Sequence, residues 1–198
     1  LGRNGAGKST TIRMLLGFAA PDFGNASVLD CDSKQLTPEI ISRIGYVNEG
    51  HNIYKYMTIK GLRDYQKSFY QQKWNNLLFE QMIDYFELPL KSKIKHLSNG
   101  QRAQVSLALA LSPEPELLIM DDPTLGLDVV IRRQFLEEMV RLMQCQGRTI
   151  LFSSHILSDV ERVADRIGVI DKGRLCADCS LDEFRESVRK ILFEFKQP

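Results

Sequence analysis

The sequence predicts an α/β protein in which a mostly parallel sheet is flanked by helices and carries an inserted helical lobe. Short apolar strands alternate with amphipathic helical segments along the carboxyl-terminal half, and this alternation is typical of parallel sheets. The stretch before them, roughly fifty residues long, has helical periodicity with an interruption near residues 73–75. A chain of 198 residues is long enough for one domain, residues 1–198, with a lobe inserted into it.

Apolar periodicity places the predicted elements in chain order. They are a helix over 9–18, strands at 26–29 and 44–47, a helical lobe at about 57–113 that is interrupted near 73–75, a strand at 117–120, a helix marked by Ile131, Phe135, Met139 and Leu142, a strand at 149–152, a helix at 157–164 and a strand at 167–170. Residues 191–195 alternate in the manner of a further strand.

Residues 2–10 match the pattern G-x-x-x-x-G-K-[ST] of a phosphate-binding loop, which predicts a P-loop NTPase. The glycines permit backbone conformations in which consecutive N–H groups point at phosphate oxygens. Lys8 would neutralise the β- and γ-phosphates, and the Ser9 hydroxyl would ligate Mg²⁺. Such a loop joins a buried strand to a helix, and only Leu1 precedes this one. We therefore expect the chain to lack the strands before the loop and to fold poorly by itself.

A second motif supplies a carboxylate for the metal. Residues 117–120 form an apolar run that delivers Asp121 at the carboxyl end of a strand, where ligands of α/β sheets bind. Asp121 can hold Mg²⁺ beside Ser9, directly or through water.

A third motif, Leu97-Ser98-Asn99-Gly100-Gln101, lies between the other two. Ser98 and Gln101 have the spacing of a capping box, so a helix is expected to begin here with its N–H groups exposed. Such a helix terminus can bind an anion, or it can be an ordinary cap that binds nothing. Its place between the first two motifs, after a helical insertion, favours an anion site.

In this order the motifs resemble those of the ATP-binding-cassette (ABC) family, and the resemblance extends from Gly2 to about residue 175. Residues 97–101 are similar to the LSGGQ signature, with Asn99 in place of its first Gly. Residues 123–128 are similar to the D-loop, and His155 to the switch histidine.

The resemblance implies a nucleotide-binding domain that uses ATP and Mg²⁺ and works as a head-to-tail dimer of two ABC subunits, identical or different. It assigns nucleotide contacts to Gly2, Asn4, Gly5, Ala6, Gly7, Lys8, Ser9 and Thr10 in one subunit, and to Ser98, Asn99, Gly100, Gln101 and Asp128 in the other. ATP would close the dimer and its hydrolysis would release it.

Two positions depart from the family pattern. Asp122 stands where a Glu usually polarises the attacking water, and its shorter side chain predicts slow hydrolysis, since misplacement of about 1 Å can cost ~10²-fold in rate. Glu49 stands where a Gln usually contacts the metal and the water, so we expect a catalytic and metal-binding role for it. Residues 45–49 resemble the ABC-2 exporter type, which includes multidrug exporters.

The resemblance further implies membrane-spanning permease subunits as partners and a location at the cytoplasmic face of the membrane. No apolar run approaches the ~18 residues of a spanning helix. With 26 basic and 25 acidic residues, the chain is not expected to bind nucleic acid. Tyr54, Tyr56 and Met57 follow Glu49 and are interpreted either as a docking surface for a permease or as packing within the lobe.

Other interpretations remain open at this point. A soluble ABC-type ATPase acting on ribosomes or DNA carries the same motifs, and a hydrolysis-impaired cassette would bind ATP without turnover. Cys176 and Cys179 have the spacing of half a zinc site, but no second Cys/His pair at ligand spacing is present, so ordinary reduced thiols are expected at these positions and at Cys31 and Cys145.

Overall fold

The computed structural model describes residues 1–70, 73–144 and 147–187. The α-helices are α1 (Lys8–Leu15), α2 (Pro38–Ile41), α3 (Ile59–Tyr70), α4 (Asn76–Tyr85), α5 (Asn99–Leu111), α6 (Val129–Gln144), α7 (Leu157–Val163) and α8 (Leu181–Ser187). The strands are β1 (Ser27–Val28), β2 (Cys31–Asp32), β3 (Ile44–Val47), β4 (Leu117–Met120), β5 (Thr149–Phe152), β6 (Arg166–Asp171) and β7 (Arg174–Ser180).

Strands β3, β4 and β5 form a parallel sheet with β4 in the middle. The register aligns Val47, Met120 and Phe152 at the carboxyl ends of the three strands. Every residue of β4 is buried, because helices cover both faces of a parallel sheet. The parallel sheet and the helices around it confirm the predicted fold class.

Three helices, α3, α4 and α5, occupy the stretch assigned to the helical lobe. The lobe is built around α5, whose residues 103–111 are all buried. Apolar side chains of α4, α5 and α6, among them Phe79, Leu107 and Phe135, belong to one core cluster that reaches β4. The helix that begins at the signature motif therefore lies at the centre of the main core.

Two antiparallel pairs differ from the sequence-based expectation. Strand β2 pairs with β1, and β7 pairs with β6; neither β2 nor β7 was expected. Helix α1 ends at Leu15, three residues earlier than expected, because Gly17 adopts a left-handed conformation (φ 70°). The expected strand at 191–195 lies outside the described residues.

The start of the phosphate loop is pinned between β5 and β6. The Ile170 N–H donates to the Leu1 carbonyl (2.8 Å), and the Gly2 N–H donates to the Ser154 carbonyl (3.2 Å). Below this point a cavity of about 700 Å³ lies between the two strands, lined mainly by apolar side chains of α1, α6, β5 and β6. These bonds bring the loop to the edge of the sheet where β4 and β5 end.

Candidate nucleotide site

The phosphate loop has the backbone that its glycines predict. Gly5 and Gly7 have φ values of 78° and 111°, which side-chain-bearing residues rarely adopt. Helix α1 begins directly after Gly7, so its first N–H groups and the positive end of its dipole face the loop. The arrangement suits a phosphate.

Lys8 lies at the base of the loop and is buried. Its ammonium donates to the carbonyls of Gly2 (2.9 Å) and Arg3 (3.4 Å) and lies 3.6 Å from Asp122 Oδ2. A buried ammonium requires such compensation, because its desolvation is costly. The lysine thereby links the phosphate loop to the segment that follows β4.

The two carboxylates after β4 are oriented by one hydroxyl. Ser153 Oγ donates to Asp121 Oδ1 (2.8 Å) and accepts from the Asp122 N–H (2.8 Å). Ser153 follows β5 directly, and its own N–H donates to the Met120 carbonyl. The parallel register of β4 and β5 thus places Ser153 beside both aspartates.

Asp122 also contacts His155. The distance from His155 Nδ1 to Asp122 Oδ1 is 3.0 Å, so the histidine and Lys8 contact different oxygens of one carboxylate. The Asp122 backbone has φ 42°, an uncommon value for a residue with a side chain. Strain of this kind persists where surrounding contacts impose it and is frequent at functional sites.

The signature motif forms the predicted capping box. Ser98 Oγ accepts from the Gln101 N–H (3.1 Å), and Gln101 Oε1 accepts from the Ser98 N–H (3.0 Å). Asn99 Oδ1 accepts a hydrogen bond from Arg102. A Cβ at position 100 would lie 2.9 Å from Ile131 Cγ2, so the glycine lets α5 approach α6 closely.

The motifs of this chain were compared with models of known protein families. A family model described as "ABC transporter" matches residues 1–125, which is more than half of the chain. The chain belongs to the ABC transporter family. This match confirms the family that the motifs predicted.

Curated relatives and a solved structure agree with this membership. The chain is 35% identical over 182 residues to the Nod factor export ATP-binding protein I of Neorhizobium galegae, covering 90% of this chain and 52% of that protein. It is 34% identical over 195 residues to the bacitracin transport ATP-binding protein BcrA of Bacillus licheniformis, covering 97% and 63%. A solved ATP-binding subunit of an ABC transporter superposes with a TM-score of 0.82 at 30% identity, covering 94% of this chain and 79% of that one. The chain thus spans only about half to two thirds of these two curated relatives.

Several predicted site residues of this ABC domain lie at the surface rather than within the buried cluster. Asn4, Thr10 and Glu49 are exposed, and Ser9 is half-buried in the first turn of α1. Asp128 Oδ1 accepts from the N–H groups of Val130 (3.0 Å) and Ile131 (2.9 Å) and so caps α6.

The donor chemistry of the site fits Mg²⁺. Ser9, Asp121 and Glu49 offer the oxygen ligands that this ion prefers. Among the described residues, no three His, Cys, Asp or Glu side chains are grouped as a metal site. A Mg²⁺ ion here would be held by the Ser9 hydroxyl, Asp121 and Glu49 together with phosphate oxygens, which is the usual manner of nucleotide sites.

Sequence reasoning missed three polar residues of the ABC domain that lie beside the predicted ones: Ser153, Thr124 and Asp159. Ser153 could have been found, because it is the first residue after a strand that neighbours β4 in a parallel sheet. Thr124 lies within the segment that resembles the D-loop, but no role was predicted for it. For Asp159 the sequence offers no signal, since an Asp in an amphipathic helix normally faces water.

His51 was also missed. It is 3% exposed, has φ 50° and ends the short turn that begins at Glu49. Burial lowers its pKa from 6.5 to about 4, against a smaller raising effect of the Pro123 carbonyl. The ring is therefore neutral at physiological pH, and it lies 6.4 Å from the Phe135 ring in the core.

Proposed function

We propose that this chain is the ATP-binding and ATP-hydrolysing part of an ABC transporter of the exporter type. One observation carries the proposal: the Lys8 ammonium and the His155 ring both contact the Asp122 carboxylate, beside a loop built for phosphate. An anchor for the γ-phosphate, a carboxylate and an imidazole thus meet at one point, as phosphoryl transfer to water requires. The export and transport names of the relatives support the transporter part.

In this proposal each residue has a separate task. Lys8 exchanges its bonds to the Gly2 and Arg3 carbonyls for bonds to phosphate oxygens. Asp122 accepts a hydrogen bond from the attacking water and, as general base, takes its proton when the oxygen bonds to phosphorus and ADP leaves. His155 holds the carboxylate through Oδ1 and would contact the γ-phosphate of bound ATP. Ser9, Asp121 and Glu49 would hold Mg²⁺, which supplies positive charge against the phosphates.

The signature motif is assigned to the nucleotide of a partner subunit. In its own chain it is packed against α6 through Gly100 and Ile131, and Asn99 lies near Gly126 of the D-loop. Arg102 can only donate, so its bond to Asn99 Oδ1 turns the amide N–H₂ of Asn99 away from it. Ser98, Gly100, Gln101 and that amide then complete the second half of a head-to-tail site, with Asp128 at the neighbouring turn.

An exposed aromatic patch, defined as Tyr54, Tyr56, Tyr65 and Phe69, supports a permease partner. The rings of Tyr54 and Tyr65 are 5.7 Å apart and those of Tyr65 and Phe69 are 5.1 Å apart, and all four side chains are exposed. Of the residues first considered for this role, Met57 is half-buried and packs against the core cluster, whereas the two tyrosines do not. Exposed aromatic groups that contact one another are typical of protein interfaces.

No helix among the described residues is long and apolar enough to span a bilayer. We assign the chain to the cytoplasmic face of the membrane, where it would be bound to separate membrane-spanning subunits.

ATP hydrolysis by the full-length protein tests the enzymatic half of the proposal. We expect MgATP turnover that falls at least about 10²-fold in Lys8→Ala, because a preorganised charge at the transferred phosphate is lost. Lys34→Ala is the control, since Lys34 is also a lysine but is exposed and lies just after β2. Equal turnover in the wild type and Lys8→Ala would refute the proposed site.

Purification from detergent-solubilised membranes tests the transporter half. A polytopic membrane protein recovered in stoichiometric amount would support it. Recovery with ribosomes or DNA-associated proteins in the soluble fraction would refute it and would favour the soluble ABC ATPase.

A further inference from the structure

Besides the bonds of Ser153, two side-chain links, to His155 and to Asp159, join the β4 loop, residues 121–128, to the segment that follows β5. The first is the pair of Asp122 and His155 described above. The second lies deeper: Thr124 Oγ1 donates to Asp159 Oδ2 at 2.7 Å, and the two residues are 2% and 5% exposed. Asp159 belongs to the first turn of α7, four residues after His155.

The burial of Asp159 requires an explanation. A carboxylate withdrawn from water costs several kcal/mol unless hydrogen bonds compensate it, and an Asp on a short surface helix normally avoids that cost by facing solvent. The first turn of α7 provides partial positive charge from its N–H groups, which favours a carboxylate there. The hydroxyl of Thr124 supplies a short hydrogen bond. The side chain is thus stabilised in a position from which it holds the loop after β4.

The link has a direct consequence for Asp122, two residues before Thr124. On the amino side, the Asp122 N–H is fixed by Ser153 Oγ at 2.8 Å. On the carboxyl side, the chain passes through Pro123, whose φ is restricted by its ring, to the anchored Thr124. The positive φ of Asp122 lies between these two anchors, so both are needed to keep its carboxylate directed at Lys8 and His155.

We propose that Thr124 and Asp159 are a positioning pair for the hydrolytic carboxylate. They hold the Asp122 backbone in its left-handed conformation and couple its placement to α7, the helix that follows His155. Because Asp122 is one methylene shorter than the usual Glu, its reach depends on backbone position rather than on side-chain rotation. The inference rests on the proposed hydrolysis at this site.

Steady-state hydrolysis in the full-length protein separates positioning from folding. Thr124→Val keeps the size of the side chain and removes the hydroxyl, whereas Thr124→Ser keeps the hydroxyl. We expect kcat to fall about 10- to 100-fold in Thr124→Val, as for a carboxylate displaced by up to 1 Å, with the KM for ATP changed less than about twofold. Thr124→Ser should retain kcat within about threefold of the wild type, since its hydroxyl can still donate.

Asp159 supplies a second, independent pair of variants. Asp159→Asn keeps an oxygen that accepts the Thr124 hydrogen bond and should retain most of the activity, whereas Asp159→Ala should match Thr124→Val. The double variant Thr124→Val/Asp159→Ala should be no slower than the slower single variant, because both remove one interaction.

Three results would contradict the proposal that Thr124 and Asp159 position Asp122. One is hydrolysis by Thr124→Val within twofold of the wild type. Another is a loss of kcat that Thr124→Ser and Asp159→Asn do not recover. The third is a double variant whose losses multiply. If Thr124→Val has unfolded at the assay temperature in a thermal melt, the Asp159 variants decide the same question. A wild type without any ATPase activity would instead refute the proposed function, so the two failures are distinguishable.

Discussion

The β4 loop buries three polar residues, Asp121, Asp122 and Thr124, and each has a hydrogen-bond partner in the segment after β5. In the helical lobe the largest fully buried side chains are apolar, such as Phe79 and Ile94, and the aromatic patch is exposed. Hydrogen bonds hold polar side chains in defined orientations, because they have preferred angles, whereas apolar packing requires only that side chains fill the available volume. The β4 loop therefore orients the groups proposed for hydrolysis, while the lobe contributes stability and a surface for a partner.

The largest expected loss of stability comes from a substitution at the centre of the lobe. Phe79 is fully buried and its ring lies 5.8 Å from that of Trp74. Phe79→Ala should lower the free energy of unfolding by about 3–5 kcal/mol, because it removes a large apolar side chain and leaves a cavity. Chemical denaturation is the measurement, and Leu77→Ala on the exposed face of the same helix is the control, with an expected change within about 0.5 kcal/mol. Similar losses in both variants would contradict the assignment of stability to the buried face.

A pH titration of stability tests the burial of His51. Since the pKa of His51 is lowered to about 4 in the folded chain, the unfolded chain takes up a proton first as the pH falls below 6.5. Acid therefore favours unfolding, and the free energy of unfolding should lose on the order of 3 kcal/mol from this group between pH 7 and pH 4. His51→Gln should show a shallower fall over that range, whereas the exposed His96→Gln should follow the wild type. Parallel curves for His51→Gln and the wild type would show that His51 is not buried as described.

In the β4 loop the effect to measure is on the rate of hydrolysis. Asp122→Asn removes the charge that faces the buried Lys8 and the acceptor for the proton of water, so kcat should fall about 10²-fold, measured at a temperature at which the variant is folded. ATPase assays with Asp84→Asn, an exposed aspartate of α4, provide the control. Unchanged turnover in Asp122→Asn would remove the catalytic role from Asp122.

At the aromatic patch the smallest effect on the isolated fold is expected. Tyr56 is 69% exposed, so Tyr56→Ala should alter the free energy of unfolding by less than about 0.5 kcal/mol. Recovery of the membrane partner in purification should nevertheless fall, since aromatic side chains contribute much of the energy at interfaces. Full recovery of that partner with both Tyr56→Ala and Tyr54→Ala would assign docking to another surface.

The sequence predicted the parts of this molecule that follow from periodicity or from a motif. Strands β3, β4 and β5 are short, mainly apolar runs, and the bounds expected for them are those observed. The capping box of Ser98 and Gln101 was predicted from its spacing, whereas the roles that the motifs give to Asp121 and His155 stay predictions.

What escaped prediction depended on tertiary contacts. Strand β7 is mostly exposed and lacks an alternating apolar face, so only its pairing with β6 reveals it. Asp159 in α7 is buried because the folded chain places Thr124 against it, which no local pattern records. Glu49 is a different case. Its motif predicted a role in metal binding and catalysis, and in the structure its side chain is exposed just after β3.

The bonds that pin the phosphate loop have a consequence for the order in which the molecule is made. The loop at residues 2–8 is held through Leu1 by Ile170 and through the Ala6 carbonyl by the Gly173 N–H. Its final shape therefore depends on residues that leave the ribosome long after the loop itself, and contacts of such long sequence separation form slowly. During synthesis the lobe can assemble its local helices early, while the phosphate loop matures only after β6 and β7 have emerged. Variants that weaken the turn at Gly173 should accordingly delay the onset of nucleotide binding more than they delay the formation of helical secondary structure.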